Sequence, residues 1–430
     1  VSSLIQRVGR SGHRLDLVSE GIIITAFPDD TREAITAVKK AYKSELEPLR
    51  IHEGALDVLA HQIVGMLMDK GQITVNDALK IIHRAYPYRD LSREQFLHVI
   101  KYLHNLREAW YEEGTDTLKR SRRTREYYYQ NLSMIPDERR YPVVDVLTDR
   151  TIGTVGDEFM ALRARIGLNI ILHGKVWRIV QIEDETGTVH VVPAEDPFAA
   201  LPGWDGEILP VPYSLALEVG KLRQQIQQEL QKEPDAQKVA EKLAKKLSTD
   251  KSTLLESTEE IQEQMKQGAP VPTDGHILIE GYDKYIVIHA CYGELVNRTL
   301  GAIFDAILSD NDLITGWWNN GYRILIEMPR KAEQQDLNKL PSLLFNLTDE
   351  EIDKAFNDYL KARFPFSYKM KFVAERFGAL PRGKTMSYEK MAQIPSRFAK
   401  TPIYEETIRE AMQEKVDIPT VKTILHNIKE

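Results

Sequence analysis

The sequence predicts an α+β protein of several domains. These are the end of an α/β lobe, a winged helix, a small antiparallel β-barrel, and a mixed, mainly helical C-terminal domain with further winged-helix-like parts. Three observations carry this expectation. An apolar β-branched run, Ile22 to Thr25, follows a helical stretch near the N-terminus. Three amphipathic segments after residue 51 lead into the hairpin-like REAWYEEG. Short alternating runs broken by Gly and Asp fill residues 116–215, ahead of a long polar, helix-patterned region.

Residues 1–26 read as the end of an α/β domain. SSLIQRV has helical spacing, and EGIIITAF holds the continuous run expected of a buried parallel strand. A single βαβ unit needs roughly 30 residues, so the rest of that domain is expected before Val1. Residues 27–50 read as a linker with a connecting helix.

Residues 51–115 form the winged helix. Leu56, Leu59, Ala60, Ile63 and Leu67 share one helical face. A second helix starts at Thr74 and turns Val75, Ala78, Leu79 and Ile82 inward. The third starts at Ser92, whose SREQ run fits a capping box with Gln95, and buries Phe96, Val99, Ile100 and Leu103. Such a module docks on nucleic acid in some proteins and serves as a spacer in others.

Residues 116–215 change character. LKRSRRTREYYYQN sets Lys119, Arg120, Arg122, Arg123 and Arg125 beside Tyr127, Tyr128 and Tyr129. YPVVDVL, RTIGTV, LNIILHG, KVWRIVQIED and TVHVVPA then read as the short strands of a small antiparallel barrel or sandwich. Residues 216–430 make the mainly helical part. Its first section, to about residue 270, has a solvated outer face. GHILIEG and KYIVIHA form a hairpin, YRILIEMP is another strand, and helix follows from about Ser342.

Composition bounds the function. The 430 residues suit two to four domains. A single cysteine, Cys291, excludes an internal disulfide framework and points to a reducing, cytoplasmic setting. No stretch reaches the ~18 consecutive apolar residues of a membrane span. The net charge of −7 excludes a wholly basic coat but leaves room for a local basic groove. The eleven histidines show no metal-ligand spacing.

The stretch LIQRVGRSGHRL supplies the functional signal. Gln6, Arg7, Gly9, Arg10, Ser11, Gly12 and His13 resemble motif VI of the superfamily 2 helicases, Q-R-x-G-R-x-G-R/H. Guanidinium groups suit that motif because they are always charged and bond phosphate oxygens as a fork. The resemblance implies that Gln6 touches the nucleotide phosphates and that Arg10 is the main arginine finger. Arg7 supports it at the lobe interface. Many family members carry a second Arg where His13 stands, and Arg14 follows, which leaves His13, Arg14 or neither to complete the site.

The order of parts narrows the family. A winged helix straight after such a lobe, then YYYQNLSMIPDE and PGWDGE, resembles the Lhr (large helicase-related) family, nearer its archaeal branch. ILIEGYDKYIVIHACYGELVNRTL, FVAERFGALPRG and TPIYEETIREAM also resemble its C-terminal domain. The resemblance implies the C-terminal part of an ATP-dependent 3′-to-5′ helicase. Its implied partners are single-stranded DNA, DNA duplexes and RNA–DNA hybrids, in repair or recombination. ATP and Mg²⁺ would be bound mainly by an upstream lobe with the Walker A and B groups, so this chain alone is expected to be inactive. GALPRGKT matches a phosphate-binding loop by spacing, with Gly378, Gly383, Lys384 and Thr385. The segment before it reads as helix and the loop carries Pro381, which argues against that role.

The residues expected on nucleic acid lie in the middle of the chain. Trp204, set among Pro202, Gly203 and Gly206, presents a face on which any base stacks. By the resemblance, Ile135 would be the apolar wedge or partner contact that the family places near the strand. Lys119, Arg120, Arg122 and Arg123 are expected to grip phosphate, with Tyr128 beside them. Arg84, Arg93 and Lys101 of the winged helix are weaker candidates. Trp177 alternates inward as core, Trp110 sits at the wing base, and Cys291 reads as a small buried apolar residue. Trp317 and Trp318 bridge a loop. Two other readings remain: a non-catalytic winged-helix and barrel module that binds nucleic acid without ATP, and an acyl- or glycosyl-type enzyme in the C-terminal domain, for which no paired carboxylates are evident.

Overall fold

The computed structural model describes residues 1–11, 18–49, 51–136, 139–162, 164–183, 187–195, 210–247, 249–362, 366–383, 390–391 and 393–428. The chain divides into two units, each discontinuous in sequence. One takes residues 1–50, 209–362 and 414–430, and the other takes 51–208 and 363–413. No described helix is long and apolar enough to cross a membrane.

The chain opens with α1 (Ser2–Val8) and α2 (Pro28–Tyr42). Between them the expected buried strand is absent. Ile22 and Ile24 are 94% and 93% exposed, and residues 18–25 form no ladder. A parallel strand is held by neighbours on both sides, and no described strand lies beside this run.

The winged helix begins with α3 (Leu56–Lys70), β1 (Gln72–Thr74), α4 (Val75–Ile82) and α5 (Arg93–Asn105). Its wing is β2 (Ala109–Glu112) and β3 (Thr117–Arg120). The predicted inward residues of all three helices are buried except Leu79, which packs at the margin of the core. Both halves of the Ser92–Gln95 capping box are made. Strand β3 pairs with β1 and β2, so Lys119 and Arg120 lie on the wing itself.

Helix α6 (Thr124–Gln130) leads to β4 (Arg140–Asp145), β5 (Arg150–Gly156), α7 (Asp157–Leu162), β6 (Asn169–Leu172), β7 (Lys175–Ile182) and β8 (Val189–Pro193). These strands form an open sheet in the order β5-β4-β8-β7-β6, not the expected closed antiparallel barrel. The pair β4 and β8 is parallel. Register shifts in β4 and β7 curl the sheet. Its edges approach only through side chains: a Cβ on Gly153 of β5 would lie 2.7 Å from Leu172 of β6. Trp177 fills the inner face, as its alternation predicts.

The other unit resumes with α8 (Tyr213–Lys232), α9 (Ala236–Leu247) and α10 (Lys251–Lys266). Helix α2 packs against α8 and α10, with Ile35 in their shared core, so it is part of the unit rather than a linker. Asp29 on its first turn accepts from Arg32, Arg223 and Arg323. Burial raises the Asp29 pKa, but these three guanidinium groups outweigh it and hold the carboxyl well below its usual range.

An antiparallel sheet follows, built from β9 (Leu278–Tyr282), β10 (Tyr285–His289), β11 (Gly316–Asn319) and β12 (Arg323–Glu327) in the order β11-β12-β10-β9. Helix α11 (Glu294–Ser309) packs on β11 and β12. Trp317 and Trp318 therefore lie on a strand, not in a loop. The Trp317 ring covers Gly301 of α11 and meets Tyr359 edge-on, while Trp318 faces outward. Cys291 is buried, as expected. A Cβ at Gly301 would sit 2.3 Å from the Trp317 ring. Gly301→Ala should therefore cost about 1–3 kcal/mol of stability by overpacking, read as loss of amide-exchange protection in α11.

Helices α12 (Gln334–Phe345), α13 (Asp349–Ala362), α14 (Phe366–Arg376), α15 (Ile394–Phe398), α16 (Pro402–Lys415) and α17 (Ile418–Asn427) complete the chain. Residues of α14, α15 and α16 join the winged-helix core, with Phe377 edge-on to Tyr102.

Candidate nucleic-acid interface

The basic surface is built on a four-residue turn, Ser121 to Thr124. The Ser121 hydroxyl donates to the Arg107 carbonyl at 2.8 Å, and the Thr124 hydroxyl donates to the Glu108 carbonyl at 2.7 Å. Both side chains are buried, which leaves Arg122 and Arg123 between them facing water. Arg120, Arg122 and Arg125 are exposed and have no carboxylate partner among the described residues. Lys119 is paired with Glu112 at 2.8 Å, and Arg123 with Glu108 at 2.8 Å. The five cations of the run are thus not equivalent: two are held by carboxylates and three have no carboxylate partner among the described residues.

Successive residues on a helix turn by about 100°, so the three adjacent tyrosines separate. Tyr127 is buried, and its hydroxyl donates to the Arg376 carbonyl at 3.0 Å. Tyr128 is half-buried and stacked on His61 at 4.6 Å, so one ring face is taken. Tyr129, which sequence reasoning did not single out, is 55% exposed and lies 5.9 Å from the Arg125 guanidinium. The helical phase, counted from buried Tyr127, was the available signal.

Ile135 is 77% exposed, with Leu132 exposed near it. The backbone that carries them is pinned by Arg382, which donates to the carbonyls of Gln130 at 2.8 Å and Ser133 at 2.7 Å. The loop GALPRG therefore braces this segment, and a helix, α14, precedes it. Lys384 and Thr385 lie outside the described residues, as do Trp204 and its neighbours. On the winged helix, Arg93 is tied to Asp116 at 2.6 Å and Lys101 to Glu113 at 3.6 Å. The wing thus supplies the counterions of α5, whereas Arg84 is exposed without an ion-pair partner among the described residues.

In the other unit, Gln6, Arg7, Gly9 and Arg10 are all exposed at the C-terminal end of α1. Neither Arg7 nor Arg10 has an ion-pair partner among the described residues. A Cβ at Gly9 would lie 3.0 Å from the Ile5 carbonyl oxygen, so a side chain there would crowd the end of the helix. His13 and Arg14 lie outside the described residues.

A buried ion network, which sequence reasoning missed, holds the winged helix to α14 and α16. Arg376 donates to Asp57 and Glu410, both at 2.5 Å. Glu406 accepts from Arg409 and from the Leu56 backbone N–H at 2.8 Å. Burial pushes the Glu406 pKa up to about 7, with Arg409 opposing. Asp57, Glu406 and Glu410 converge closely enough to suggest a cation site, but Arg376, Arg409 and Lys369 already pair with them.

A family model described as large helicase-related protein, winged helix domain, matches residues 39–199, and one described as DEAD/H associated matches residues 271–430. The ATP-dependent helicase Lhr-Core protein 2 of Thermococcus barophilus is 30% identical over 100% of this chain and 51% of its own length. The ATP-dependent helicase Lhr-Core of Methanocaldococcus jannaschii gives the same figures. The Lhr helicase/uracil glycosylase of Escherichia coli is 24% identical over 100% of the chain and 29% of its own length. The chain thus spans about half the length of the first two relatives. Among solved structures, Mycobacterium smegmatis helicase Lhr bound to ssDNA and AMP-PNP matches with a TM-score of 0.71 at 20% identity. That match covers 99% of this chain and 51% of the other, and it shows a shared fold.

Proposed function

The chain belongs to the Lhr (large helicase-related) family, and from that premise we propose that it is the C-terminal portion of an ATP-dependent 3′-to-5′ helicase. It would act on single-stranded DNA tails and on DNA or RNA–DNA duplexes, in repair or recombination. The observation that carries the reading is the Q-R-x-G-R spacing across the C-terminal end of α1, with Arg7 and Arg10 exposed and without an ion-pair partner among the described residues. Charge kept free in this way suits a phosphate that arrives from outside the unit.

In this reading ATP supplies the cleavable phosphoanhydride, with Mg²⁺ held by an upstream lobe. Arg10 places its fork on the terminal phosphate, Arg7 steadies the approach, and Gln6 donates to a phosphate oxygen. Gly9 keeps the helix end free of a side chain, and His13 or Arg14 completes the set. On the other unit Arg120, Arg122 and Arg125 track the sugar–phosphate backbone. Tyr129 and Trp204 offer stacking faces, and Ile135 stands as an apolar wedge. Stacking worth ~1–3 kcal/mol per base without regard to sequence suits a motor that passes every base.

Binding of a 3′-tailed fluorescent DNA to this chain across a salt series tests the assignment. The logarithm of affinity should fall linearly with the logarithm of salt concentration, and Arg122→Ala and Arg125→Ala should each flatten the slope by about 0.7. Slopes left unchanged by both substitutions would move the strand away from this surface.

A further inference from the structure

Arg123 differs from its neighbours in what lies behind it. Its side chain is 54% exposed, yet it reaches back to Glu108, whose side chain is 1% exposed. Neither Glu108 carboxylate oxygen has a hydrogen bond of good geometry among the described residues; the Arg123 contact at 2.8 Å is close but poorly directed. The Glu108 carbonyl meanwhile accepts from the Thr124 hydroxyl at 2.7 Å, which fixes the backbone there. A buried carboxylate is thus compensated by one cation, and that cation sits on the surface read as holding phosphate.

We propose that Glu108 is a proton-linked positioning residue. Single-stranded nucleic acid draws the Arg123 guanidinium off the Glu108 carboxylate and onto a phosphate, and the buried carboxyl takes up one proton from solvent as it does so. The inference rests on the nucleic-acid reading of that surface. A carboxylate left buried without its cation is costly and neutralises instead.

The surroundings favour the neutral form. Helix α6 presents Glu126, whose charge repels that of Glu108, and the Tyr127 phenol, which already donates to the Arg376 carbonyl. The turn after α14 presents the backbone of Gly378, where a Cβ would lie 3.5 Å from Glu108 Oε1. The guanidinium of Arg376 is engaged by Asp57 and Glu410. Burial, with Arg123 opposing and Glu126 adding, pushes the Glu108 pKa up to about 7 while Arg123 is still in place.

The sign follows from proton uptake. Loss of Arg123 raises the carboxyl pKa further, so the complex binds more protons than the free protein above about pH 7. Affinity for single-stranded DNA should be flat below about pH 7 and fall by up to tenfold per pH unit above it.

The test is a pH series from about 6 to 9 at fixed salt, with an oligothymidylate probe and the whole chain. The same titration calorimetry is run in two buffers of different ionisation enthalpy, which counts protons taken up. The unaltered chain should take up close to one proton near pH 8. Glu108→Gln should abolish both the uptake and the added pH dependence, and should bind tighter above about pH 8. Arg123→Ala, which leaves Glu108 in place, should also abolish the uptake. Salt-sensitive binding without proton uptake, or uptake that survives both substitutions, overturns the inference and leaves the nucleic-acid reading standing. Absence of salt-sensitive binding by the unaltered chain overturns both.

Discussion

Replacing Arg376 by methionine should destabilise the unit of residues 51–208 and 363–413 by about 3–5 kcal/mol, because it strands buried carboxylates without their cation. Arg376 is buried and joins Asp57 on α3 to Glu410 on α16. Methionine preserves much of the apolar stem, so the loss reports the charge rather than a cavity. Amide exchange is the suitable readout, since a chain of two units has no single unfolding transition. Protection in α3 and α14 should fall together, while that of α8 and α11 in the other unit is unchanged. Adding Asp57→Asn to Arg376→Met should recover part of the loss, because the two residues share one network and their effects do not add. Unchanged protection of α3 in the single variant would mean that apolar contacts alone dock α14 and α16.

What the sequence made legible was what local periodicity encodes. The winged-helix core follows from apolar spacing, the start of α5 from one capping box, and the burial of Trp177 from strand alternation. The misses share another cause. Ile22 to Thr25 has the composition of a buried strand, but a strand is made by its neighbours, and none of the described strands lies beside this run. The open sheet with a parallel β4–β8 pair depends on strand order, which short alternating runs do not specify. Helix α2 looked like a linker because its ties to α8, α10 and Arg323 span roughly 200 to 300 residues.

The candidate interface shows the same split. The basic run and Ile135 were visible from residue type, and Ile135 does stand exposed. Their inequality was not, because Glu108 lies fifteen residues before Arg123 and is silent as sequence. FVAERFGALPRG and TPIYEETIREAM carried a family resemblance, and within them Arg376, Arg382, Glu406, Arg409 and Glu410 do the holding. A resemblance marks such segments without saying whether they bind, catalyse or brace.

Arg10 carries the largest expected effect on activity. In a protein that includes both lobes, Arg10→Ala should lower DNA-stimulated ATP turnover by ~10³-fold, the scale on which arginine fingers act. The loss should fall on kcat, with the KM for ATP nearly unchanged, because the fork meets charge that develops in the transition state. Arg10→Lys should recover little, since an ammonium offers a point charge in place of a planar fork. Arg10 lies in the turn that follows α1, outside the unit that bears the basic surface, so DNA affinity without nucleotide should not change. That last measurement separates the two remaining readings. A module that only binds nucleic acid would use Arg10, if at all, as one more phosphate contact, and its loss would weaken DNA binding and flatten the salt dependence. A motor would keep its DNA affinity and lose its turnover.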